Sequence, residues 1–135
     1  MTSAYSPLGV ELMVTGENAG TWGTKTNTNL GIVEQISGGY LSVAVNGTGN
    51  TNIVVSDGAA TSGNQVAHRI IELTGTITGN ITVSIPLDVE NFYFVKNSTS
   101  GSHTVEFQYV SGSGTSVTFG ATSKTWKVIS AKADD

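Results

Sequence analysis

Two histidines and one close pair of carboxylates are the residues of this chain that could do acid–base or metal chemistry. His68 lies within a β-like stretch, and His103 lies at the start of another. Asp88 and Glu90 are separated by one residue, as a glycosidase or a calcium site could use. No acid or nucleophile stands at a recognisable spacing from either histidine. We therefore predict that both histidines face solvent and that the carboxylates lie in a solvated turn.

Motifs that identify the common enzyme classes are missing from the sequence. The chain contains no cysteine, and it has no P-loop, G-x-S-x-G or H-E-x-x-H pattern. Three Asn-x-Ser/Thr triplets begin at Asn46, Asn80 and Asn97, which is expected by chance in a threonine-rich chain without a secretion signal. We predict no catalytic residue, no cofactor and no metal ion.

The composition is unusually poor in charge. Only 12% of the 135 residues are Asp, Glu, Lys or Arg, against about 25% in typical globular domains, and the net charge is −4. Few and scattered basic residues exclude an electrostatic surface for nucleic acid or for an anionic membrane. No apolar run is long enough to span a bilayer. A surface with so few charges suits a protein that is partly covered by copies of itself or by a neighbour.

The distribution of glycines and the alternation of apolar and polar residues divide the chain into two parts. We predict a domain at 1–40, with an extended arm and glycine-rich loop over 1–26 and a short helix that Asn29 caps and Gly38 ends. Short alternating strands separated by Gly, Ser and Asn turns predict a second domain at 41–135. The predicted fold class is all-β, with a single β-sandwich or jelly-roll-like domain.

Two details of the predicted β domain depend on local pattern alone. The run Phe92-Tyr93-Phe94-Val95 is apolar throughout, which predicts a central strand buried on both faces. The segments 66–73 and 81–85 predict a hairpin or meander around the turn at 78–80. The strand blocks have no fixed period, so a solenoid is not predicted.

Five aromatic residues raise the alternative of sugar binding by ring stacking: Trp22, Tyr40, Tyr93, Tyr109 and Trp126. Core packing is the commoner role of aromatic residues in strands. Trp22 differs because glycines flank it in Gly20-Thr21-Trp22-Gly23 and little apolar sequence is nearby. It must pack against its own β domain or against another chain, and the sequence leaves both alternatives open.

A long motif near the N-terminus resembles a known family. The stretch from Glu11 to Met13 and the run GENAGTWGTKTNTNL over 16–30 resemble the N-terminal motif of tail-fibre and minor structural proteins of tailed bacteriophages, especially phages of marine bacteria. Fragments at 71–76, 79–80, 83–86 and 95–101 also resemble that family, in the same order. The resemblance therefore extends over most of the chain.

The resemblance implies a non-enzymatic virion structural protein that is assembled in the host cytoplasm. Such proteins are usually homotrimeric fibres that attach to the particle through their N-terminal part, so the implied partners are other copies of the chain and virion proteins of the tail or capsid. Capsid decoration is one alternative, and a module that binds a host surface glycan is another. The implied assembly and attachment residues are Leu12, Met13, Glu17, Asn18, Trp22, Lys25, Asn27, Asn29 and Leu30.

Overall fold

The structure, a computed structural model, describes residues 3–111 and 115–133. Two short strands, β1 (Ala4–Tyr5) and β2 (Glu11–Leu12), pair antiparallel and precede the helix α1 (Trp22–Gly38). A 3-10 turn at Gln65–Ala67 interrupts the strands that follow. These strands are β3 (Tyr40–Ala44), β4 (Gly47–Asn52), β5 (Ile70–Thr74), β6 (Ile77–Ile85), β7 (Glu90–Asn97), β8 (Val105–Tyr109), β9 (Val117–Phe119) and β10 (Trp126–Lys132).

The eight longer strands form two four-stranded sheets. Sheet I has the order β10-β7-β5-β3, and sheet II has the order β4-β6-β8-β9. Three strands of each sheet run parallel. They are β3, β5 and β7 in sheet I, and β4, β6 and β8 in sheet II. Strands β9 and β10 pair antiparallel with the last coil. The described residues are therefore mostly strand, in mixed sheets, with one helix.

The chain alternates between the two sheets from β3 to β8, so that each pair of consecutive strands makes one coil. The three coils, β3-β4, β5-β6 and β7-β8, stack in register apart from a shift between Gly47 and Gly49 of β4, and this is the winding of a short β-solenoid. Corresponding residues of the second and third coils are 24 apart in both sheets, as in the pairs Ile70–Phe94 and Ile81–Val105.

Apolar side chains stack from coil to coil between the sheets. Leu41, Ile71 and Val95 form one row of sheet I, and Val83 pairs with Phe107 in sheet II. All five are buried in a single core. Burying them excludes water from apolar surface, which is the largest favourable contribution to folding.

Asparagine side chains join neighbouring coils at their corners. The Asn46 Oδ1 accepts the Thr76 backbone N–H at 3.0 Å, and the Asn80 Oδ1 accepts the Thr104 N–H at 3.1 Å. Each bond satisfies a backbone donor that lies beyond the end of a regular ladder. Two of the three Asn-x-Ser/Thr triplets thus begin with residues that hold adjacent coils together.

The connections between consecutive strands differ from those predicted. Sandwiches and jelly rolls are built from antiparallel hairpins, whereas β5 and β6 lie in different sheets and each pairs in parallel with the next coil. The predicted hairpin or meander and the absence of a solenoid are therefore wrong. The segment 53–69, which contains the 3-10 turn, lengthens the first coil and hides the period. The predicted domains 1–40 and 41–135 include residues 1–2, 112–114 and 134–135, which lie outside the described part.

Strand β7 is not buried on both faces. Tyr93 and Val95 are buried, and burial raises the pKa of Tyr93, but Phe92 and Phe94 are exposed. The strand is interior to sheet I, as predicted, yet only one face of the sheet meets the core. A run of four apolar residues carries no information about which face is covered.

The helix begins earlier than its apolar spacing predicts. It starts at Trp22, so part of the predicted loop is helical, and Asn29 is interior to the helix and does not cap it. The threonine- and asparagine-rich first turns have weak intrinsic helix propensity, which conceals the start. Tertiary contacts stabilise this part of the helix, since Asn29 and Lys25 both bind Glu11.

We predict that Gly101→Ala destabilises the fold by about 1–3 kcal/mol. Gly101 has φ +102°, and a Cβ there would lie 2.3 Å from the Ile77 carbonyl oxygen of the preceding coil. Urea denaturation of both proteins measures the difference. Gly120→Ala is the matched control because a Cβ there meets nothing within 4 Å. Equal midpoints for the two variants would contradict close stacking at this corner.

Candidate functional site

The conspicuous motif near the N-terminus folds back onto the helix through Glu11. The Asn29 Oδ1 accepts the Glu11 backbone N–H, and the Asn29 Nδ2 donates to the Glu11 carbonyl, both at 2.9 Å. The Lys25 ammonium lies 3.0 Å from the buried Glu11 carboxylate, which raises the pKa of Lys25. The Asn29 amide thus binds both backbone groups of Glu11, as the backbone of a neighbouring strand would.

Two more polar residues of the motif shape the turn before the helix. Asn18 adopts a φ of +62°, its Nδ2 donates to the Glu11 Oε1, and its carbonyl accepts the N–H groups of Thr21 and Trp22. Glu17 accepts both the backbone N–H and the hydroxyl of Ser3. The polar residues Glu17, Asn18, Lys25 and Asn29 therefore contact their own chain.

The arm is also bound to the first coil. The buried Asn64 side chain donates to the Leu8 carbonyl at 2.9 Å and accepts the Ser56 N–H. The Gly58 N–H donates to the Gly9 carbonyl at 2.8 Å. Residues 3–21 are consequently packed along their own subunit.

Five apolar side chains between Leu12 and Val33 are exposed to solvent. We define the N-terminal apolar surface as the exposed side chains Leu12, Met13, Trp22, Leu30 and Val33. Trp22 is 64% exposed and Leu30 is 61% exposed. Asn27, another predicted assembly residue, is also exposed. Of the two alternatives left open for Trp22, packing against its own β domain is therefore excluded.

The exposed surface of the helix includes three large apolar side chains, where a solvated helix normally carries charged residues. Trp22, Leu30 and Val33 follow one another at spacings of eight and three residues, which places them on one side of the helix. The helix has only two charged residues, Lys25 and Glu34, and Lys25 is bound to Glu11. A soluble helix usually shows charged or polar residues on its outward side.

A second exposed apolar surface, which the sequence analysis missed, lies on sheet I. One row across the four strands is Tyr40, Ile70, Phe94 and Val128, in register. Phe92 and Trp126 extend it along β7 and β10. We define these six residues as the outer face; five of them are 41–65% exposed, namely Tyr40, Phe92, Phe94, Trp126 and Val128.

Polar groups of the outer face bind one another. The Glu72 carboxylate accepts the hydroxyls of Tyr40 and Ser98 and lies 3.5 Å from the Lys96 ammonium. The Ser98 hydroxyl, with Tyr40 and Lys96, holds the pKa of Glu72 below its usual value of 4.5. The hydrogen bond from Tyr40 to Glu72 raises the pKa of Tyr40. The Glu72 carboxylate thus has three partners within its own subunit.

Cations pack against the aromatic rings of this face. The Arg69 guanidinium lies 3.5 Å from the Phe92 ring centroid, and its Nη1 donates to the Asn91 side chain and the Phe92 carbonyl. The Lys96 ammonium lies 5.6 Å from the Trp126 ring. Phe92 and Phe94 meet edge to face at 6.1 Å. These contacts hold the rings in place before any ligand binds.

The residues first considered for chemistry are not gathered into a site. His68 is buried at the end of the 3-10 turn, with its Nδ1 near the Gln65 carbonyl, so the prediction that it faces solvent is wrong. Asp88 and Glu90 are exposed and border a cavity of about 290 Å³ with Ser6 and Leu8. Within residues 3–111 and 115–133, no cluster of three His, Asp or Glu residues could hold a metal ion.

In the part of the chain that the structure describes, no helix is both long and apolar enough to cross a membrane. Comparison with protein-family models, with curated proteins and with solved structures finds no match to this chain.

We predict that Ser98→Ala raises the pKa of Glu72 toward 4.5, because the alanine removes the hydrogen bond that lowers it most. A lowered native pKa stabilises the fold above the unfolded pKa, and this stabilisation is lost as the pH falls through the native value. The variant should therefore lose less stability on acidification below about pH 5. Carboxyl ¹³C NMR titration measures the pKa.

The control for this titration is Ser130→Ala, which removes a hydroxyl from the same face beside Phe92. It should leave the titration of Glu72 unchanged. A Glu72 titration that is identical in Ser98→Ala and in the wild-type protein would refute the role given to Ser98.

Proposed function

We propose that this chain is a structural protein of a bacteriophage virion, a short fibre-like appendage or adaptor subunit that acts as a homo-oligomer. It docks on the particle through its N-terminal segment. The observation that carries the proposal is the N-terminal apolar surface, of which all residues but Val33 lie within the motif that resembles phage tail-fibre proteins. Trp22 stands 64% exposed at the start of a helix with little charge.

The polar and the apolar residues of the N-terminal segment have different roles, and this supports docking through the apolar ones. Glu17, Asn18, Lys25 and Asn29 fasten the segment to its own subunit, so they present a rigid helix. A rigid surface loses little conformational entropy on binding. Tryptophan is among the residues most enriched in interface hot spots. The polar residues shape the surface, and Trp22, Leu30 and Val33 make the contact.

The resemblance implies three copies in the assembly and a location in the virion. Decoration of the capsid is the alternative location, and it uses the same N-terminal surface on the shell lattice. Particles separated into heads and tails distinguish the two, because the chain stays with the component to which it is bound.

Sugar binding is the second candidate function, and one observation favours it. Tyr40 and Trp126 are exposed on the outer face of sheet I, where rings could stack on a host surface glycan. Tyr93 is fully buried in the core, which is the commoner role of aromatic residues in strands, so it does not stack on a ligand. The hydroxyl of Tyr109 is bound to the Val89 carbonyl and to the Ala133 N–H. The glycan alternative therefore depends on three of the five aromatic residues first considered for it, Trp22, Tyr40 and Trp126.

We predict that Trp22→Ala reduces incorporation into particles at least about tenfold, as expected for an interface hot spot. The free energy of unfolding should change by less than about 0.5 kcal/mol, because the ring is exposed. Quantitative mass spectrometry of purified phage particles measures copies per particle relative to the major capsid protein. Thermal unfolding of the isolated variant measures its stability.

Thr24→Ala is the matched control. Thr24 is exposed on the same helix, about 160° around the axis from Trp22 by α-helical geometry. Its incorporation should equal that of the wild type. Absence of the wild-type chain from purified particles would sink the virion proposal, and a sharp loss of stability in Trp22→Ala would mean that Trp22 acts within its own subunit.

A further inference from the structure

The outer face of sheet I is a large apolar surface that the subunit leaves exposed. Its six side chains contribute nothing to the core, which lies on the opposite face of the same strands. The row Tyr40, Ile70, Phe94 and Val128 runs without interruption across all four strands. Contiguous exposed apolar surface of this kind marks an interaction site in soluble proteins.

The exposed area of the face is a substantial part of one side of a protein–protein contact. Complete burial of an aromatic side chain removes about 150–250 Å² from water, and each of the four rings is about half exposed, so together they could bury about 300–500 Å². Val128, Ile70 and the surrounding polar groups extend this area toward the roughly 800 Å² per partner of a stable interface. The aromatic centre and polar margin also follow the usual anatomy of such interfaces.

The polar groups of the face favour a protein occupant over a sugar. A glycan site needs free donors and acceptors next to the rings to bind hydroxyl groups. Here the Glu72 carboxylate is already occupied by Tyr40, Ser98 and Lys96, and Arg69 is occupied by Asn91 and the Phe92 carbonyl. The aliphatic side chains of Ile70 and Val128 stand between the rings, where they offer only apolar contact.

The charges of the face suit a second copy of the same surface. Glu72 and Lys96 are directly paired across β5 and β7, so the face carries both signs side by side. In a cyclic assembly, Lys96 of each copy can lie near Glu72 of the next copy, so the same surface supplies both members of the contact. Burial of the pair is tolerable because each charge keeps its partner.

We propose that copies of this chain associate through the outer face, with Phe94, Trp126 and Val128 in the contact. This inference rests on the proposed function as a homo-oligomer and assigns the oligomer interface to sheet I. The N-terminal apolar surface then remains free to bind the particle. A subunit with two separate apolar surfaces can join its copies and its neighbour at the same time.

The experiment compares Val128→Lys with Thr118→Lys in the full chain. Val128 is 65% exposed on the outer face, in the edge strand β10, and Thr118 is exposed on the opposite side of the molecule, in β9 of sheet II. Light scattering across about 1–100 μM should give an oligomer for the wild type and for Thr118→Lys. Val128→Lys should raise the dissociation constant at least about thirtyfold and remain folded.

A second measurement uses the absence of cysteine from the sequence. Val128→Cys and Thr118→Cys each place a single thiol on one of the two surfaces. A short bis-maleimide should cross-link the first variant between copies and leave the second uncross-linked. This readout does not depend on weakening the interface, so it holds even if Val128→Lys unfolds.

Three results would overturn the inference. In the first, Val128→Lys is folded and has the same mass as the wild type. In the second, the wild type is monomeric at 100 μM although it is present in purified particles, which spares the virion proposal and removes only this interface. In the third, the wild type is monomeric and binds a glycan array in a manner that Trp126→Ala abolishes, which makes the outer face a sugar-binding surface.

Discussion

The in-register stacking of parallel coils is the constraint on which the rest of the structure depends. Side chains of a strand alternate strictly between its two faces. Once Leu41, Ile71 and Val95 are aligned in the core, their neighbours Tyr40, Ile70 and Phe94 are aligned on the outside. The ordered outer face is thus a geometric consequence of the ordered core. Asn46, Asn80, Gly75 and Gly101 maintain the register at the corners.

Local features of this fold could be predicted from the sequence, but its winding could not. Alternation of apolar and polar residues identifies strands such as β6 and β8, and Gly38 marks the end of the helix. The parallel connections were hidden because paired residues of the first two coils are 30 to 32 apart, whereas those of the next two are 24 apart. Exposure of Phe92 and Phe94 depends on which face the coils cover, which is a property of the tertiary structure.

The sequence predicts which segment forms the candidate site, but it does not predict which residues of that segment are exposed and which bind their own chain. The motif identified Trp22 and Leu30, which are exposed, together with Asn29, Lys25 and Glu17, which bind their own chain. Only the folded structure separates these groups, because the partner of Asn29 is the backbone of Glu11, 18 residues earlier. The outer face has no local signal, since its residues come from four strands spread over 40–128. Aligning those strands by their inward-facing positions would have found it.

Two exposed apolar surfaces on a chain with 12% charged residues support the proposal that this subunit acts in an assembly. Hydroxyl-radical footprinting of the chain within purified phage particles tests that account most directly. Trp22 and Trp126 should react much less in the particle than in the dilute free chain, while the exposed Tyr5 serves as the internal reference. Equal reactivity of both tryptophans in the two states would contradict the account.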